Sequence, residues 1–473
     1  MSYSLSRRGV RHAFLSADEQ PAGMFQRFPF FQRLISWSKL HAPHDRGTRP
    51  YERYDWNSLI GEEPSHRSLV PRRMDGSSTF PSRSEMEQGL ADFARRTKTL
   101  ARYDCRWEGT RREEDGYAIE TSDGEYRAQV FVCAVGMTEA WKPQVPGIEA
   151  VPHYVDVKEA RRYRNKDVVI IGKRNSGFEL ADGLLPWART ITLVSPRPTR
   201  LSLLAYSPAA ARARYMQPYE EHVLGSGGVF VMDAAIRRVA RSGNGWKVTV
   251  DGTTVPGEIV LRADEVIAAT GFGTPLGDLP DLGLKTFFGN RLPSQTPWWE
   301  STTLPDLYFA GSITQGSIGL KKYGQVSSSA SVHGFRYNAV VLARHLAETR
   351  FGVPPRRPKI RPDRLIPYLL REATEAPELW NQRSYLCRAV TRDPRGGLVD
   401  EGILPLAYFV DETGPDGAAI TVETTDVGVM QPALYVRTGG RVEEHILETH
   451  TLLDFRTTEN RAMLRSVLKS LIG

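Results

Sequence analysis

The residues DVVIIGKRNSGFELADGLLPWARTITLVS, positions 167–195, decide the fold of this chain. DVVIIG is a short, apolar and β-branched run, which is typical of a buried parallel strand. The next segment has glycine at the turn and apolar residues at helical spacing, and TITLVS is a second buried strand. A strand, a turn, a helix and a strand form one βαβ crossover, so the sequence predicts an α/β fold.

A glycine-containing turn joins the first of these strands to the helix. Glycines at such a turn let the backbone approach a pyrophosphate, and the helix N-terminus supplies N–H groups and the positive end of its dipole. Arg174 stands where the usual G-x-G-x-x-G motif has its second glycine, so its side chain either pairs with a phosphate or blocks the site. The turn predicts binding of a dinucleotide by Gly172, Arg174, Asn175, Ser176 and Gly177.

The end of the second strand predicts which dinucleotide binds. The segment VSPR, residues 194–197, offers no acidic residue that could hold a ribose 2′-hydroxyl. Arg197, with Arg200 three positions further on, can instead hold a 2′-phosphate, so we predict NADPH in preference to NADH. The alternative is that both are ordinary solvated surface arginines.

Composition limits the classes of protein to which the chain can belong. The 473 residues exceed one ordinary core, so two or three domains are expected. The net charge of +7 is spread along the chain, so we predict no nucleic-acid partner. No run approaches the roughly 20 apolar residues of a membrane span, and the start lacks a signal-peptide core, so we expect no membrane partner and a cytoplasmic location. The cysteines Cys105, Cys133 and Cys387 lie far apart, which excludes a disulfide framework and a C-x-x-C dithiol.

Three further strands are each predicted to end at a glycine turn. They lie in YRAQVFVCAVG, ADEVIAATGFG and LYFAGS, and GWKVTVDG is predicted as a strand of a meander. PPRRPKIRPD, residues 354–363, is rich in proline and arginine and is predicted to be a linker. Beyond it, LAYFVD, AITVE and ALYVRT are predicted as short strands before a closing helix.

The order of these segments resembles the flavin-containing monooxygenase superfamily, which includes N-hydroxylating and Baeyer–Villiger enzymes. The resemblance rests on FVCAVGMTEAWKPQVPG, VVIIGKRNSGFELA, DEVIAATGF and LYFAGS, taken in that order. RYDWNSL at 53–59, FPSRSEMEQGLADFA at 80–94 and SVHGFRY at 331–337 resemble a narrower group. That group is the FAD-dependent oxidoreductase domain-containing proteins and their bacterial relatives, and the resemblance covers roughly the first three quarters of the chain.

This resemblance implies an α/β fold with two Rossmann-like dinucleotide-binding domains. The FAD-binding domain is discontinuous and N-terminally truncated, with parts at residues 1–150 and 271–353. The NADPH-binding domain at residues 151–270 is inserted into it, and residues 354–473 form a small α+β extension. Gly136 and Gly271 are expected at the crossings between domains, where the backbone must turn.

The family's opening strand and its G-x-G-x-x-G turn for FAD have no counterpart in this sequence. The first residues resemble the second half of the first helix, and residues 10–15 resemble the second strand. An acidic residue that holds the FAD ribose is expected just after that strand, where Ser16 stands, with Asp18 two positions on. Two explanations are open: the start codon is assigned too late, which we favour, or the protein is a shortened relative. An open sheet without its first strand exposes strand edges, which natural folds avoid.

The resemblance also implies which residues contact FAD in the first half of the chain. Gly23, Met24 and Phe25 are expected in the loop after the second strand. Trp56 and Asn57 are expected beside the isoalloxazine ring as the catalytic pair, with Asn57 able to hydrogen-bond its reacting edge. The alternative for Trp56 is a buried core aromatic.

Further FAD contacts are implied after the strand LYF. Gly311 and Ser312 hold the place of a Gly-Asp pair in the family, and serine for aspartate weakens that contact. His333, Gly334 and Phe335 are expected to begin a helix whose N–H groups face the flavin pyrimidine and stabilise negative charge on it. The alternative for His333 is a structural histidine with its hydrogen bonds satisfied.

The activity implied by the resemblance is that of an FAD- and NADPH-dependent oxidoreductase, and more narrowly a monooxygenase. NADPH reduces the flavin, and one atom of molecular oxygen passes to a soft nucleophile of a small molecule, such as an amine nitrogen or a sulfur. Two alternatives are open: an NADPH-dependent flavin reductase or oxidase, and a flavin-free pseudoenzyme or scaffold subunit. No metal cluster is expected, and assembly into a homo-oligomer is left open.

Overall fold

A computed structural model describes residues 1–27, 33–202, 210–225, 227–317, 319–320, 322 and 326–472. The chain divides into two compact units. The first unit consists of residues 1–23, 36–137 and 274–473, and the second consists of residues 24–35 and 138–273. The chain therefore leaves the first unit and returns to it twice. The domain limits that the sequence predicts at residues 150, 270 and 353 stay predictions.

The strands of the described part form two large sheets and several small ones. In chain order they are β1 (Trp107–Glu113), β2 (Gly116–Thr121), β3 (Gly124–Ala128), β4 (Phe131–Cys133), β5 (Glu139–Ala140), β6 (Asp167–Ile171), β7 (Thr190–Ser195), β8 (Val229–Ser242), β9 (Gly245–Gly252), β10 (Gly257–Ala263), β11 (Glu265–Ala268), β12 (Phe272–Gly273), β13 (Thr286–Phe287), β14 (Leu292–Pro293), β15 (Leu307–Phe309), β16 (Lys359–Ile360), β17 (Leu386–Arg392), β18 (Leu398–Pro405), β19 (Gly417–Thr424), β20 (Met430–Thr438) and β21 (Arg441–Ile446).

The α-helices of the described part are mostly short. In chain order they are α1 (Ser2–Ser6), α2 (Arg83–Thr97), α3 (Asn175–Leu184), α4 (Ala213–Leu224), α5 (Val332–Thr349), α6 (Pro362–Glu375), α7 (Pro377–Asn381), α8 (Leu406–Asp411), α9 (Thr458–Val467) and α10 (Lys469–Ile472). Short 3-10 helices lie at Gly23–Arg27, Pro50–Tyr54, Pro64–His66, Ile148–Ala150, Tyr154–Asp156, Ala160–Tyr163, Gly311–Gly316 and Ser328–Ala330.

One six-stranded sheet dominates the second unit, in the order β10-β9-β8-β7-β6-β11. Strands β8, β7, β6 and β11 run parallel, whereas β9 and β10 extend the sheet as an antiparallel meander. Strand β6 is buried almost throughout, as its run of valine and isoleucine requires. Helix α3 crosses from β6 to β7 and buries Phe178, Leu180 and Leu184 against the sheet. The βαβ crossover predicted from residues 167–195 is confirmed.

The first unit contains a parallel pair of strands and a large antiparallel sheet. Strand β4 pairs in parallel with β15, and β1, β2 and β3 form a meander. The antiparallel sheet has the order β16-β18-β17-β19-β20-β21. Side chains of α5 and α6 share one apolar core with this sheet, among them Leu342, Leu369, Ile420 and Leu434. The predicted α/β class and the α+β character of the tail are confirmed.

Residues 10–15 do not form the strand that the sequence predicts. Leu15 alone makes a parallel bridge, to Arg102, and residues 11–14 are exposed. Backbone groups form a strand only where a neighbouring strand pairs with them along its length. Strand β4 likewise has one strand partner, β15, within the described residues. The helix expected before residues 10–15 is present as α1.

Two predictions for the C-terminal part are also wrong. LAYFVD forms the helix α8 and not a strand, because this places Leu406, Ala407 and Phe409 on one buried face. The predicted linker at residues 354–363 contains β16, an edge strand of the large sheet, and the start of α6. Local sequence cannot show that a proline-rich segment will be captured by a sheet edge.

No helix in the described ranges is long and apolar enough to cross a membrane. The same residues contain no group of three or more His, Cys, Asp or Glu side chains that could hold a metal ion.

We expect Leu180→Ala to lower the free energy of unfolding by about 2–5 kcal/mol, because this side chain is fully buried in the core of the second unit. Leu224→Ala is the matched control: that leucine ends α4 and is 76% exposed, so its effect should stay within about 0.5 kcal/mol. Urea unfolding followed by circular dichroism measures both changes. Equal losses for the two variants would contradict the assignment of the core.

Candidate functional site

The turn after β6 is closed so tightly that it requires two glycines. Gly172 has a φ of +120°, and a Cβ there would lie 2.3 Å from the carbonyl oxygen of Ala269. A Cβ on Gly177 would lie 2.1 Å from the carbonyl oxygen of Gly172. A side chain at either position would push α3 away from the end of β6. The first N–H groups of α3, which have no partner within the helix, therefore stay at the carboxyl edge of the sheet.

Arg174 lies at the end of this turn. It is the residue before α3, its backbone is extended, and its side chain is exposed. The Asn175 side chain is bound to the protein: its Nδ2 donates to the carbonyl of Ala210 at 3.2 Å, and its Oδ1 accepts from the N–H of Arg212 at 2.9 Å. Ser176 is half-buried in the first turn of α3. Asn175 thus fixes the chain before α4, and its contact with a dinucleotide stays a prediction.

Three arginines follow the carboxyl ends of β6 and β7. Arg174, Arg197 and Arg200 are exposed, and none of them forms an ion pair with a residue that the structure describes. The loop of Arg197 is held by Thr253, whose hydroxyl donates to the carbonyl of Pro196 at 2.5 Å. Guanidinium groups that lack a carboxylate partner are available to a phosphate.

Trp56, His333 and Trp37 form an aromatic stack in the first unit. The ring centroids of Trp56 and His333 are 4.1 Å apart, with 18° between the ring planes. The centroid of Trp37 lies 5.2 Å from that of Trp56, at 37°. His333 is buried at the start of α5, whereas Trp56 is half-buried. The structure therefore brings together two residues that the sequence predicts at a flavin, and it adds a third aromatic ring.

A buried hydrogen-bond network fixes the loop that carries Trp56. Asp55 Oδ1 accepts from Ser38 Oγ at 2.6 Å and from the two backbone N–H groups that follow Trp56. The amide nitrogen of Asn57 donates to Ser38 Oγ at 2.9 Å, and its oxygen accepts from the hydroxyl of Ser36. Asn57 is fully buried by these contacts, so in this structure it positions Trp56. Its hydrogen bond to the flavin edge stays a prediction.

Two glycines that follow β15 differ in their surroundings: Gly311 has free space around it, whereas Gly334 is closely packed. Gly311 has a φ of +80°, and a Cβ there would meet no atom within 4 Å. Ser312 follows it and is half-buried. Gly334, in the first turn of α5, packs on Ser328 so closely that a Cβ would lie 2.2 Å from its carbonyl oxygen. Phe335 is half-buried beside it. The glycine at 334 is thus required by packing, whereas the glycine at 311 leaves free space.

The predicted contacts of the loop after residue 15 divide between the two units. Asp18 and Gly23 lie against each other in the first unit, where a Cβ on Gly23 would come within 2.6 Å of the Asp18 Cβ. Met24 and Phe25 belong to the second unit, and Met24 is 41% exposed. The structure joins the first two residues, and the flavin contacts of all four stay predictions.

Two glycines predicted at the crossings between domains lie close to the unit limits. Gly136 and Gly271 have φ angles of +73° and +90°. The units meet in sequence after Met137 and after Gly273, one and two residues further on. Positive φ is accessible to glycine without strain, so both crossings turn where a side chain would be unfavourable.

Two C-terminal helices, α6 and α7, contact the segment just before the loop that carries Trp56. Arg49 donates to both Glu372 and Glu378, with N–O distances of 2.8 to 3.0 Å. The guanidinium of Arg53 lies 3.5 Å from the ring centroid of Trp380. Buried charges are stable only when they are paired in this way. The C-terminal extension is therefore joined to the part of the first unit that carries the aromatic stack.

Gln382, just after α7, joins the extension to the start of α5. Its Nε2 donates to Ser329 Oγ at 2.8 Å and to Asn338 Oδ1 at 2.6 Å, and its Oε1 accepts from the N–H of Ser328 at 3.1 Å. Asn338 Nδ2 in turn donates to Thr314 Oγ1 at 2.9 Å. One buried amide thus connects the extension with the turn after Gly311 and with the helix that begins near His333.

A model of the pyridine nucleotide-disulphide oxidoreductase family matches residues 63–311, which is more than half of the chain. The chain belongs to this family. Membership of the pyridine nucleotide-disulphide oxidoreductase family indicates an oxidoreductase and agrees with the dinucleotide turn predicted from GKRNSG.

Individual proteins show the same likeness over larger parts of the chain. The FAD-dependent oxidoreductase domain-containing protein 2 of Mus musculus is 24% identical over 419 residues, which cover 82% of this chain and 61% of that protein. This chain thus spans about three fifths of the length of that relative. The resemblance predicted from RYDWNSL, FPSRSEMEQGLADFA and SVHGFRY is confirmed.

Two solved structures share the fold at low sequence identity. A bacillithiol disulfide reductase from Staphylococcus aureus superposes with a TM-score of 0.55 at 16% identity, covering 74% of this chain and 94% of its own. A flavin-containing monooxygenase from Stenotrophomonas maltophilia gives a TM-score of 0.55 at 17% identity, covering 73% and 94%. At these identities, the likeness shows that the fold is shared and says nothing about the reaction.

Sequence reasoning missed the residues that hold the site in place. The D-x-N spacing in RYDWNSL is typical of a turn in which an aspartate binds backbone N–H groups, and it could have revealed the role of Asp55. Ser36 and Ser38 carry no such signal. Lys173 stands inside the GKRNSG turn, but it pairs with Asp233, 60 positions away, and no local pattern reveals such a contact.

Replacing Arg49 by methionine should lower the free energy of unfolding by about 2–3 kcal/mol at neutral pH, because the buried carboxylate of Glu372 and the half-buried one of Glu378 lose a shared partner. Arg361→Met is the control, since Arg361 pairs with Asp363 at a side chain that is 76% exposed, where a pair contributes at most about 1 kcal/mol. Denaturant titrations measure both losses.

The loss caused by Arg49→Met should also depend on pH. Burial acts to raise the pKa of Glu372, but the hydrogen bonds and charges of Arg49 and Arg388 outweigh it and lower the pKa to about 2. A lowered pKa stabilises the fold above the unfolded value of 4.5, and this stabilisation is lost as the pH falls through the folded value. The gap between wild type and variant should therefore narrow between about pH 5 and pH 2. A gap that stays constant would show that Arg49 acts by packing alone.

Proposed function

We propose that this protein is an FAD- and NADPH-dependent oxidoreductase and, within that class, a monooxygenase that oxygenates an amine or another soft nucleophile of a small molecule. The observation that carries the proposal is the glycine turn at the start of α3, followed by exposed arginines that form no ion pair with described residues. Family membership supports the oxidoreductase class. The narrower activity is supported by the order of segments that this chain shares with flavin-containing monooxygenases.

The turn after β6 fits a dinucleotide pyrophosphate. The space that a Cβ at Gly172 or Gly177 would occupy is already taken by backbone, so the turn and the helix N-terminus stay close together. The side chain of Arg174 is exposed at the start of α3, where its guanidinium is available to a phosphate. Arg197 and Arg200 follow the next strand, where dinucleotide-binding folds recognise the adenosine ribose, and their charge suits a 2′-phosphate.

The first unit contains groups that fit a flavin. The free space at Gly311 lies at the carboxyl end of β15, the edge at which ligands bind in parallel α/β sheets. The half-buried ring of Trp56 is held rigidly by the Asp55 network and by its stack on His333. Aromatic side chains fixed in this way provide a flat apolar surface for a planar ring system.

The protein's contribution to the chemistry is binding, orientation and exclusion of water. Bound FAD would supply the transfer of electrons between a nicotinamide and an acceptor. Helix α5 directs its first N–H groups and the positive end of its dipole toward its own start at Val332, where they stabilise negative charge. Trp56 orients a ring beside it, and Arg197 and Arg200 hold the charged end of the dinucleotide.

The cysteines do not support disulphide chemistry within this chain. Cys105, Cys133 and Cys387 are all buried and free. Burial raises the pKa of Cys133 to about 12, so its thiol is not ionised at neutral pH. The sequence contains no C-x-x-C pair. The alternative of a reductase or oxidase therefore requires an acceptor other than a protein disulphide of this chain.

Arg197→Ala combined with Arg200→Ala should weaken NADPH binding by roughly 10-fold to 100-fold and leave NADH binding almost unchanged, because only NADPH carries the 2′-phosphate. Isothermal titration of the full chain with each dinucleotide measures the two dissociation constants. Arg262→Ala, an exposed arginine on β10, is the control and should change neither. Equal losses of affinity for NADPH and NADH would mean that these arginines do not bind the 2′-phosphate.

The flavin is tested by the visible absorption spectrum of the full chain after incubation with excess FAD and desalting. We expect a retained flavin spectrum that NADPH bleaches faster than NADH. In air, NADPH consumption matched by oxygenated amine supports the monooxygenase, whereas consumption matched by hydrogen peroxide supports the oxidase. A colourless protein would contradict the flavin part of the proposal and favour the flavin-free scaffold.

A further inference from the structure

An ion pair joins the dinucleotide turn to a strand two positions away in the sheet. Lys173, the second residue of the GKRNSG turn, donates from its Nζ to Asp233 Oδ1. Lys173 directly follows Gly172, just after the end of β6. Asp233 lies on β8, where it pairs with Ser195, the last residue of β7. Strand β7 runs between β6 and β8. The lysine side chain therefore crosses the carboxyl end of β7, a span of about 10 Å between the outer strands.

The pair is built into the protein and is not a surface contact. The Lys173 side chain is 1% exposed, and that of Asp233 is 22% exposed. The second oxygen of Asp233 accepts from Thr254 Oγ1 at 2.7 Å. The hydrogen bond from Lys173, and then that from Thr254, lower the pKa of Asp233, so the carboxylate is charged at neutral pH. Thr253, next to Thr254, holds the carbonyl of Pro196, so the same hairpin loop contacts Asp233 and the loop of Arg197.

The position of this pair matters for the choice of dinucleotide. In dinucleotide-binding folds the adenosine ribose lies at the carboxyl end of the second strand, which is β7 here. A charged carboxylate at this point accepts hydrogen bonds from ribose hydroxyls and repels a 2′-phosphate. Asp233 stands on the neighbouring strand, opposite Ser195, so its charge would act against those of Arg197 and Arg200, which follow Ser195 in the chain. Lys173 cancels that charge through its ion pair with Asp233.

We propose that the Lys173–Asp233 pair determines the preference for a 2′-phosphorylated nicotinamide dinucleotide, with Lys173 neutralising Asp233 so that Arg197 and Arg200 act on the phosphate unopposed. The inference rests on the proposed function, because it assigns a role at the same dinucleotide site. It differs from the usual rule, in which the residue at the end of the second strand decides. Here Lys173, just after β6, and Asp233, on β8, contribute through their combined charge.

The test uses two substitutions whose effects have opposite signs. Lys173→Met leaves Asp233 uncompensated, so the ratio of the NADH to the NADPH dissociation constant should fall roughly tenfold. Asp233→Asn keeps the hydrogen bond from Thr254 but leaves Lys173 uncompensated, so the same ratio should rise by a similar factor. The double variant removes both charges and should restore a ratio close to that of wild type. Isothermal titration of the full chain with NADPH and NADH needs no flavin and no turnover.

Folding is checked by the thermal midpoint of each variant and by its circular dichroism spectrum. Removing one member of a buried pair leaves the charge of the other unpaired, so Asp233→Asn, which leaves the 1% exposed Lys173 without its carboxylate, is the variant most at risk. If it does not fold, Lys173→Met decides alone, and an unchanged ratio there overturns the inference. A wild-type chain that prefers NADPH while both variants leave the ratio of dissociation constants unchanged overturns the inference and leaves the proposed function standing. A wild-type chain that binds neither dinucleotide overturns both.

Discussion

The close approach of helix α3 to the end of strand β6 is the constraint on which the second unit depends. It exists because Gly172 and Gly177 leave their Cβ positions to the backbone of neighbouring segments, at distances no side chain could tolerate. Strand β7 ends at the same edge of the sheet, and β8 passes this edge at Asp233, so the turn lies beside the loop that follows β7 and beside an acidic residue of β8. Residues from three separate parts of the chain thus gather their charges at one edge, and the balance of those charges sets what can bind there.

The first unit is organised by buried polar groups that are satisfied by one another. Asp55 and Asn57 hold the loop of Trp56, and Arg49 joins the segment before that loop to the C-terminal helices through Glu372 and Glu378. Each of these groups would be costly to bury alone, so the network forms as a whole or not at all. The C-terminal extension is therefore part of the structure that positions the aromatic stack and not an independent appendage.

The local sequence pattern predicts those elements in which one periodicity of apolar residues places the buried side chains. The apolar run of β6, the glycine turn and helix α3 lie where the sequence places them, because every residue there meets the same sheet. LAYFVD is predicted as a strand but forms a helix, because a short run of mostly apolar residues fits a strand and a short helix equally well. Residues 10–15 have the composition of a strand, but pairing depends on a neighbour that composition does not describe. The site residues that were missed are polar side chains whose partners lie far away in the chain.

By itself, the sequence determined the α/β class, the dinucleotide turn at residues 172–177, the arginines after β7 and the likeness to flavin-dependent oxidoreductases. These features are encoded in adjacent residues, where spacing and side-chain type are enough. Only the tertiary structure decided that Asn57 is buried between serines, that Trp56 stacks on His333, and that Lys173 reaches Asp233 across β7. Such contacts join residues dozens to hundreds of positions apart. Their energies depend on distance and burial, and both exist only once the chain has folded.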